Sequence, residues 1–439
     1  MSGFVITNYG FALAHGTVAE YITKQKPKKK PTNKKKQMMK QVAATNKVNE
    51  DSMSDYDSKV PAGWELKFIA DVCNIYVGRD LKENNFSNSK SEEYQVPVYS
   101  NTVENEGLYG YYNIEEFSGE STTIVGRGAG LGTAFTRNGK YGAIGRLLVL
   151  FPKENVIAHY ITEFVNGILQ IHQESGGIPQ LTGEQISKYK IKIPPLPEQK
   201  AIAQVLSTAD TAIHTTEKLI VQKELRKKWL TQQLLTGNKR LKGFGGAWKK
   251  CNASDFLSQR NEQAPNNGNI PLFSLTIENG VTEKSERYER EFLVKDKSIK
   301  NYKIVYPNDI VFNPANLRWG AIAKHTRKFK VLLSPIYEVL SVKDGFDIDF
   351  ISYLVSSPRQ ISYYASILEG TLIERMAVKV EPFLATNYEI PNKEEQTLIA
   401  QVLKAADKEI SLLKLKAEKL REKKKGLMQQ LLTGKIRIK

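Results

Sequence analysis

Along residues 403–431 apolar side chains step alternately by three and four: Leu403, Ala406, Ile410, Leu413, Ala417, Leu420, Leu427 and Leu431. Only Lys424 interrupts the series. An earlier stretch repeats the pattern with Leu206, Ala209, Ile213, Thr216, Ile220, Lys223, Lys227, Leu230 and Leu234. A 3.5-residue period predicts a coiled-coil seam on a long helix. Pro197 can open the first helix, because its missing N–H costs nothing in the first turn. Asn392 is the candidate N-cap of the second, with Glu395 its capping-box partner. Gly237 and Gly434 sit where C-caps belong. Each helix is then roughly 40 residues, or about 60 Å at 1.5 Å per residue.

The two stretches are copies. Ile193–Arg240 aligns without a gap on Ile390–Arg437 at an offset of 197, with 22 identities in 48 positions. An ungapped match of that length means duplication. One apolar stripe on so long a helix needs a partner, and the other copy is the obvious one. The pattern also allows two independent amphipathic helices, each lying on its own domain.

Between the helices lie two blocks, 61–193 and 241–390, that have diverged much further. Trp64 and Asp71 still match Trp248 and Asp255, VPVYS from Val96 resembles IPLFS from Ile270, and TTIVGRG from Thr122 resembles NDIVFNP from Asn308. Short runs rich in Val, Ile, Tyr and Phe between Gly, Asn and Asp predict strands. AHYITEFVNGILQ and DFISYLVSSPRQISYYAS predict helices. The expected fold class is α+β. It has two mixed domains, 61–193 and 241–390, separated by two long helices (194–240 and 391–439) in an antiparallel coiled coil with pseudo-twofold repeat. Residues 1–60 form a basic extension, expected to be disordered.

Charge adds a partner. Lys and Arg total 64 against 47 Asp and Glu, a net +17. Residues 24–40 hold nine lysines and no acid, and removing them still leaves +8. A basic folded part favours a polyanion, most often nucleic acid. Cys73 and Cys251 form neither a disulfide framework nor a zinc spacing. A reduced cytoplasm is the expected location, since no apolar run reaches the ~18 residues of a membrane span. Phe4–Ile22 lacks the basic start of a secretory signal. Met53 opens MSDYDSKVPAGWE, so residues 1–52 are expected to reflect an upstream start codon.

PPLPEQ from Pro194, AQVL from Ala203, QQLLTG from Gln232 and their second-copy counterparts resemble the specificity subunit (HsdS) of Type I restriction–modification systems. The resemblance covers about residues 60–439. The second copy departs from it, with IPNKEEQ in place of IPPLPEQ, and the lysine-rich extension is no part of the family pattern. The resemblance implies two target-recognition domains, each reading half of a split sequence in double-stranded DNA, with the helices as spacer. It implies assembly with two modification (methyltransferase) subunits and optionally two restriction subunits. S-adenosylmethionine, ATP and Mg would belong to those partners, with no cofactor or metal in this chain.

Recognition needs cations to anchor phosphates and side chains that reach base edges. In the first domain Val125–Arg146 combines Arg127, Arg137, Lys140 and Arg146 with glycines that admit a close backbone approach. A glycine-rich hairpin inside the sheet explains the same residues. The spacing fits neither a dinucleotide fingerprint nor a P-loop. The equivalent region of the second domain offers Asn313, Asn316, Arg318, Lys324, Arg327 and Lys328. Trp319 is expected in the core, with packing on a sugar or stacking with Arg318 as the alternatives. A second strip before each helix adds Gln180, Thr182 and Arg375, although turn and cap chemistry accounts equally well for Thr182.

Two rival functions are weaker. An amino-methyltransferase needs an (N/D)PP(Y/F) motif, and PPLP lacks both its ends. A nuclease needs clustered acids with a lysine, and the five histidines form no constellation. A purely protein-binding coiled-coil adaptor fits the helices but leaves the basic, glycine-interrupted blocks unexplained.

Overall fold

The computed structural model describes residues 60–169, 180–283, 301–370 and 376–438. The chain divides into two compact units, one of residues up to 203 with those from 428 onward, the other of residues 204–427.

In the first unit a four-stranded antiparallel sheet runs Cys73–Val77, Leu148–Pro152, Ser121–Ile124, Ala134–Arg137. The helix Ala158–Gly167 packs on it through Tyr160, Ile161 and Phe164, all buried. Tyr160 donates to the Lys192 carbonyl at 2.7 Å, which satisfies its hydroxyl inside the core. A five-stranded sheet (Phe86–Ser87, Leu108–Tyr112, Val96–Tyr99, Lys140–Ala143, Phe117–Ser118) adds a second layer. Glu65–Phe68 pairs with Lys190–Ile193 and so ties the start of the domain to its end.

The second unit repeats the central order. Its sheet runs Leu257–Gln259, Glu338–Val342, Ile310–Phe312, Ile322–Lys324, and Lys249–Asn252 pairs with Asn387–Ile390. Even a local turn survives. Asp71 accepts from the Phe68 amide at 3.0 Å, and Asp255 from the Asn252 amide at 2.8 Å. The core gathers Phe256, Phe312, Phe350, Tyr364 and Phe383, with Phe312 stacked on Phe383 at 4.7 Å.

Both long helices are 39 residues, Leu196–Leu234 and Lys393–Leu431. Within the second unit ion pairs join them in broadly descending order: Asp210–Lys424, Glu217–Arg421, Lys223–Glu409, Glu224–Lys414 and Lys227–Asp407. Over these residues the two segments therefore run in opposite directions. Every seam position is buried or half-buried. Leu206, Leu234, Leu403, Ile410, Ala417 and Leu431 are buried, whereas Ala209, Ile213, Ile220, Leu230, Ala406, Leu413, Leu420 and Leu427 are half-buried. The lysines that break the stripe keep their stems along it and neutralise their heads on carboxylates of the other helix. Leu403 is fully buried among Leu234, Phe350 and Leu354. Leu403→Ala should cost about 2–5 kcal/mol in urea unfolding. Leu415→Ala, at an exposed position on the same helix, should stay within about 0.5 kcal/mol.

The helix starts explain the PEQ motif. Glu198 accepts both N–H groups of Arg437 at 2.7 Å and the Trp64 indole at 2.9 Å. One repeat away, Glu395 accepts both from Arg240 at 2.7 Å. Glu395 is thus not a capping-box partner: its carboxylate is spent on Arg240, and only Asn392 caps, accepting from the Glu395 amide at 3.0 Å. The buried glutamines do the next task. Gln199 accepts from the Ile157 amide and donates to the Asn155 and Pro194 carbonyls, and Gln396 accepts from the Asp347 amide and donates to the Pro391 carbonyl. Each glutamine locks a helix start to its own domain.

Candidate nucleic-acid interface

In the first unit the strand Ser121–Ile124 runs into a glycine loop whose position is fixed by backbone pairing. The Leu181 amide donates to the Gly126 carbonyl at 2.8 Å, and Arg127 bridges Gln180. The two candidate strips, far apart in sequence, are thus neighbours. Asn101 holds a third segment against them. Its Oδ1 accepts from the Gly126 amide at 2.8 Å and its Nδ2 donates to the Gly145 carbonyl. A Cβ on Gly126 would stand 3.1 Å from the Arg146 and Leu181 carbonyls, so only glycine lets these strands of chain meet without displacement. The Gly145 amide donates to the Arg79 carbonyl and the Arg146 amide to the Gly78 carbonyl. Arg79, Arg127 and Arg146 therefore lie on adjoining segments. All three are exposed, and among the described residues none has a carboxylate partner. Three uncompensated guanidiniums on a glycine-lined rim can take up an anion such as a phosphate.

Other candidates of this unit have different work. Arg137 is buried, not presented. It donates to the Thr123 hydroxyl at 3.0 Å and the Glu106 carbonyl at 2.5 Å and lies 3.6 Å over the Tyr99 ring. Burial pulls its pKa below the usual arginine value. It joins two layers of the domain, so a DNA-contacting role is corrected to a structural one. Thr182 caps the helix Gly183–Ser187 in a capping box with Gln185, which is the turn chemistry the sequence also allowed. Lys140 is exposed and paired with Glu115 at 2.6 Å. Cys73, buried, has its thiol pushed up to about 12 by desolvation and is no nucleophile.

In the second unit the strand Ile310–Phe312 runs into Asn313–Gly320, and the Val378 amide donates to the Pro314 carbonyl at 3.0 Å. The pairing of loop and second strip matches that of the first unit. Asn313 accepts from the Ala315 amide, so its side chain closes a local turn, and Asn316 precedes the 3₁₀ turn Leu317–Trp319 without a side-chain cap bond. Trp319 is 59% exposed, not in the core, and the Arg318 guanidinium lies 4.1 Å over its ring. Lys324 is occupied by Asp349. Arg327 and Lys328 are exposed at the tip of the following loop, which His325 closes through Nε2 on the Phe329 carbonyl at 2.8 Å. Arg375 lies outside the described residues, as do residues 1–59 and 170–179. Among the described residues no group of three His, Cys, Asp or Glu could hold a metal.

The family model for the Type I restriction modification DNA specificity domain matches residues 61–225. A relative from Methanocaldococcus jannaschii, the Type I restriction enzyme MjaVIII specificity subunit, is 25% identical over 418 residues, covering 87% of this chain and 95% of its own length. Over most of its length the chain is thus similar to Type I specificity subunits, and residues 61–225 match their DNA specificity domain. Such subunits are the recognition components of their enzymes and are non-catalytic. A putative type I specificity subunit of Mycoplasma pneumoniae is 30% identical over 181 residues, 40% of this chain and 57% of that protein. The crystal structure of a Type I system S subunit from M. genitalium superposes with a TM-score of 0.56 over 85% of this chain and 97% of that one, at 10% identity, so the fold is shared.

Three residues of this candidate site carry no mark in the sequence. Arg79 lies 48 residues before Arg127 and reaches the rim only through its pairing with Ile144. Asn101 contributes no charge, and only its hydrogen bonds reveal it. Trp319 reads as core by composition, because no local pattern records that the turn points it outward. No helix among the described residues is long and apolar enough to cross a membrane.

Proposed function

We propose that this specificity subunit reads a split target in double-stranded DNA, one domain per half-site, and that its two long helices act as an antiparallel coiled-coil spacer. The observation that carries the reading is a duplicated helical scaffold bearing two diverged domains, each presenting arginine on a loop fixed by the same pairing. A helix of 39 residues is about 58 Å long, a ruler that would set the number of unread base pairs at about 3.4 Å each. The chain would be non-catalytic by itself. Methyl transfer with S-adenosylmethionine, and any ATP- and Mg-dependent cleavage, would belong to modification and restriction subunits docked on it.

The faces of the helices turned away from the seam support that docking. They are rich in Lys and Glu, and they also leave large apolar side chains in solvent: Val221, Leu225 and Trp229 at four-residue spacing, and Leu412 and Leu415 on the distal helix. A gel-shift competition tests DNA reading against a purely protein-binding role. The chain assembled with its modification subunits should hold duplex DNA with an affinity that falls steeply as salt rises. An assembled complex that leaves duplex unshifted at low salt would establish the adaptor instead.

A further inference from the structure

Trp319 is more than half exposed, yet the turn that carries it is rigid. Leu317 anchors the turn in the core at 0% exposure. The Asn316 carbonyl accepts from the Trp319 and Ala321 amides, and the Leu317 carbonyl from Gly320. Gly320 closes the turn at φ 91, a left-handed conformation that an L side chain rarely adopts. A Cβ there would also stand 3.2 Å from Ile361 of the helix Pro358–Ser366. The indole is therefore held out by its scaffold, not by local looseness. Arg318 covers one ring face at 4.1 Å and has no carboxylate partner among the described residues. The surrounding stretch, Phe312–Lys330, has no acid of its own, and with Lys324 held by Asp349 it leaves Arg318, Arg327, Lys328 and Lys330 as its cations.

A fixed aromatic plane backed by a cation, inside an acid-free basic segment, matches a ligand that is both polyanionic and flat-faced. We propose that Trp319 is the base-stacking residue of the second domain, pressing its indole against a base of that domain's half-site while Arg318 stiffens the ring and Arg327 and Lys328 hold the backbone. The proposal rests on reading this domain as a DNA reader. Rigid insertion of an aromatic or apolar wedge discriminates sequences by how readily the contacted step unstacks, so Trp319 would contribute to target choice without a hydrogen bond to any base.

The test uses the full chain assembled with its modification subunits. The probes are a duplex carrying the site found by methylation mapping and a duplex with the second domain's half-site scrambled. W319A should weaken binding to the site roughly ten- to a hundredfold, the range of one base stack, and leave the scrambled duplex within about twofold. W319F should keep most of the affinity, because its ring still stacks and the turn is unchanged. A 2-aminopurine placed at the stacked position should change its fluorescence on binding wild type and W319F, and should fail to do so with W319A. W319A binding the site as well as wild type, or weakening equally on both duplexes, overturns the proposal. So does normal DNA affinity with failed binding of the modification subunits, which would make Trp319 a protein-docking residue. A wild-type complex that fails to distinguish the two duplexes would instead sink the reading of the domain as a DNA reader, and the proposal with it.

Discussion

Changing Arg79, Arg127 and Arg146 together to alanine should reduce the slope of log affinity against log salt by about 2.7, or roughly 0.9 for each phosphate no longer neutralised. At low salt the affinity for any duplex should fall by about two to three orders of magnitude. The three side chains are exposed and have no carboxylate partner among the described residues, so no native ion pair disappears with them. Arg146 sits at φ 66, but alanine meets the same strain there and adds none. Unfolding midpoints should therefore barely move. Arg137→Ala is the contrasting variant. It removes a buried guanidinium that bonds Thr123 and the Glu106 carbonyl and stacks on Tyr99, leaving the buried Thr123 hydroxyl without that donor. Its effect should appear in stability, with the salt slope of the remaining folded protein unchanged. Titrating the variants with duplex at several salt concentrations, beside urea unfolding, separates the two behaviours.

Arg240→Ala should destabilise the protein more than Glu395→Gln. The pair is bidentate at 2.7 Å, but the Glu395 side chain is only 1% exposed against 25% for Arg240. Removing the arginine strands a buried carboxylate, whereas removing the charge of the glutamate frees an arginine that reaches solvent. The partial exposure of Arg240 keeps the effect below the full cost of breaking a buried pair. The equivalent junction has a pH signature. Hydrogen bonds from Arg437 hold the Glu198 carboxyl below its ordinary value of 4.5. A lowered folded pKa stabilises the protein fully above 4.5, and that contribution disappears as pH falls through the lowered value. Arg437→Ala should remove this acid-side stability change and leave the rest of the pH profile. Urea midpoints measured from about pH 3 to about pH 7 for both variants would check it.

The helices and their seam were legible because periodicity and duplication are properties of the sequence itself. The order in which Asp210, Glu217, Lys223, Glu224 and Lys227 meet their partners was not, since nothing along the chain ranks possible charge pairs. The same limit applies at the site. VGRGAG marks a loop of close approach, but which arginine is presented depends on packing from elsewhere. Arg137, with Tyr99 and Thr123 beside it, goes inside, while Arg79 arrives from the domain's opening strands. PPLPEQ identifies the family. The division of labour in it, Glu198 to the far end of the other repeat and Gln199 to its own domain, becomes visible only in three dimensions.

If the two domains read separate halves of one target, damage to the base reading of either should be confined to its own half. Genome-wide methylation mapping in a host carrying the chain and its modification subunits puts this to the proof, with first-domain variants at Arg79, Arg127 and Arg146 compared against second-domain variants at Arg318 and Trp319. The expected outcome is a two-part methylated motif with an unread gap, in which the Arg318 and Trp319 variants relax only their own half, while the first-domain arginine variants, which release phosphates, lower methylation of the whole motif without relaxing either half. A single continuous motif, or well-folded second-domain variants that relax both halves, would refute the division of the target between the domains.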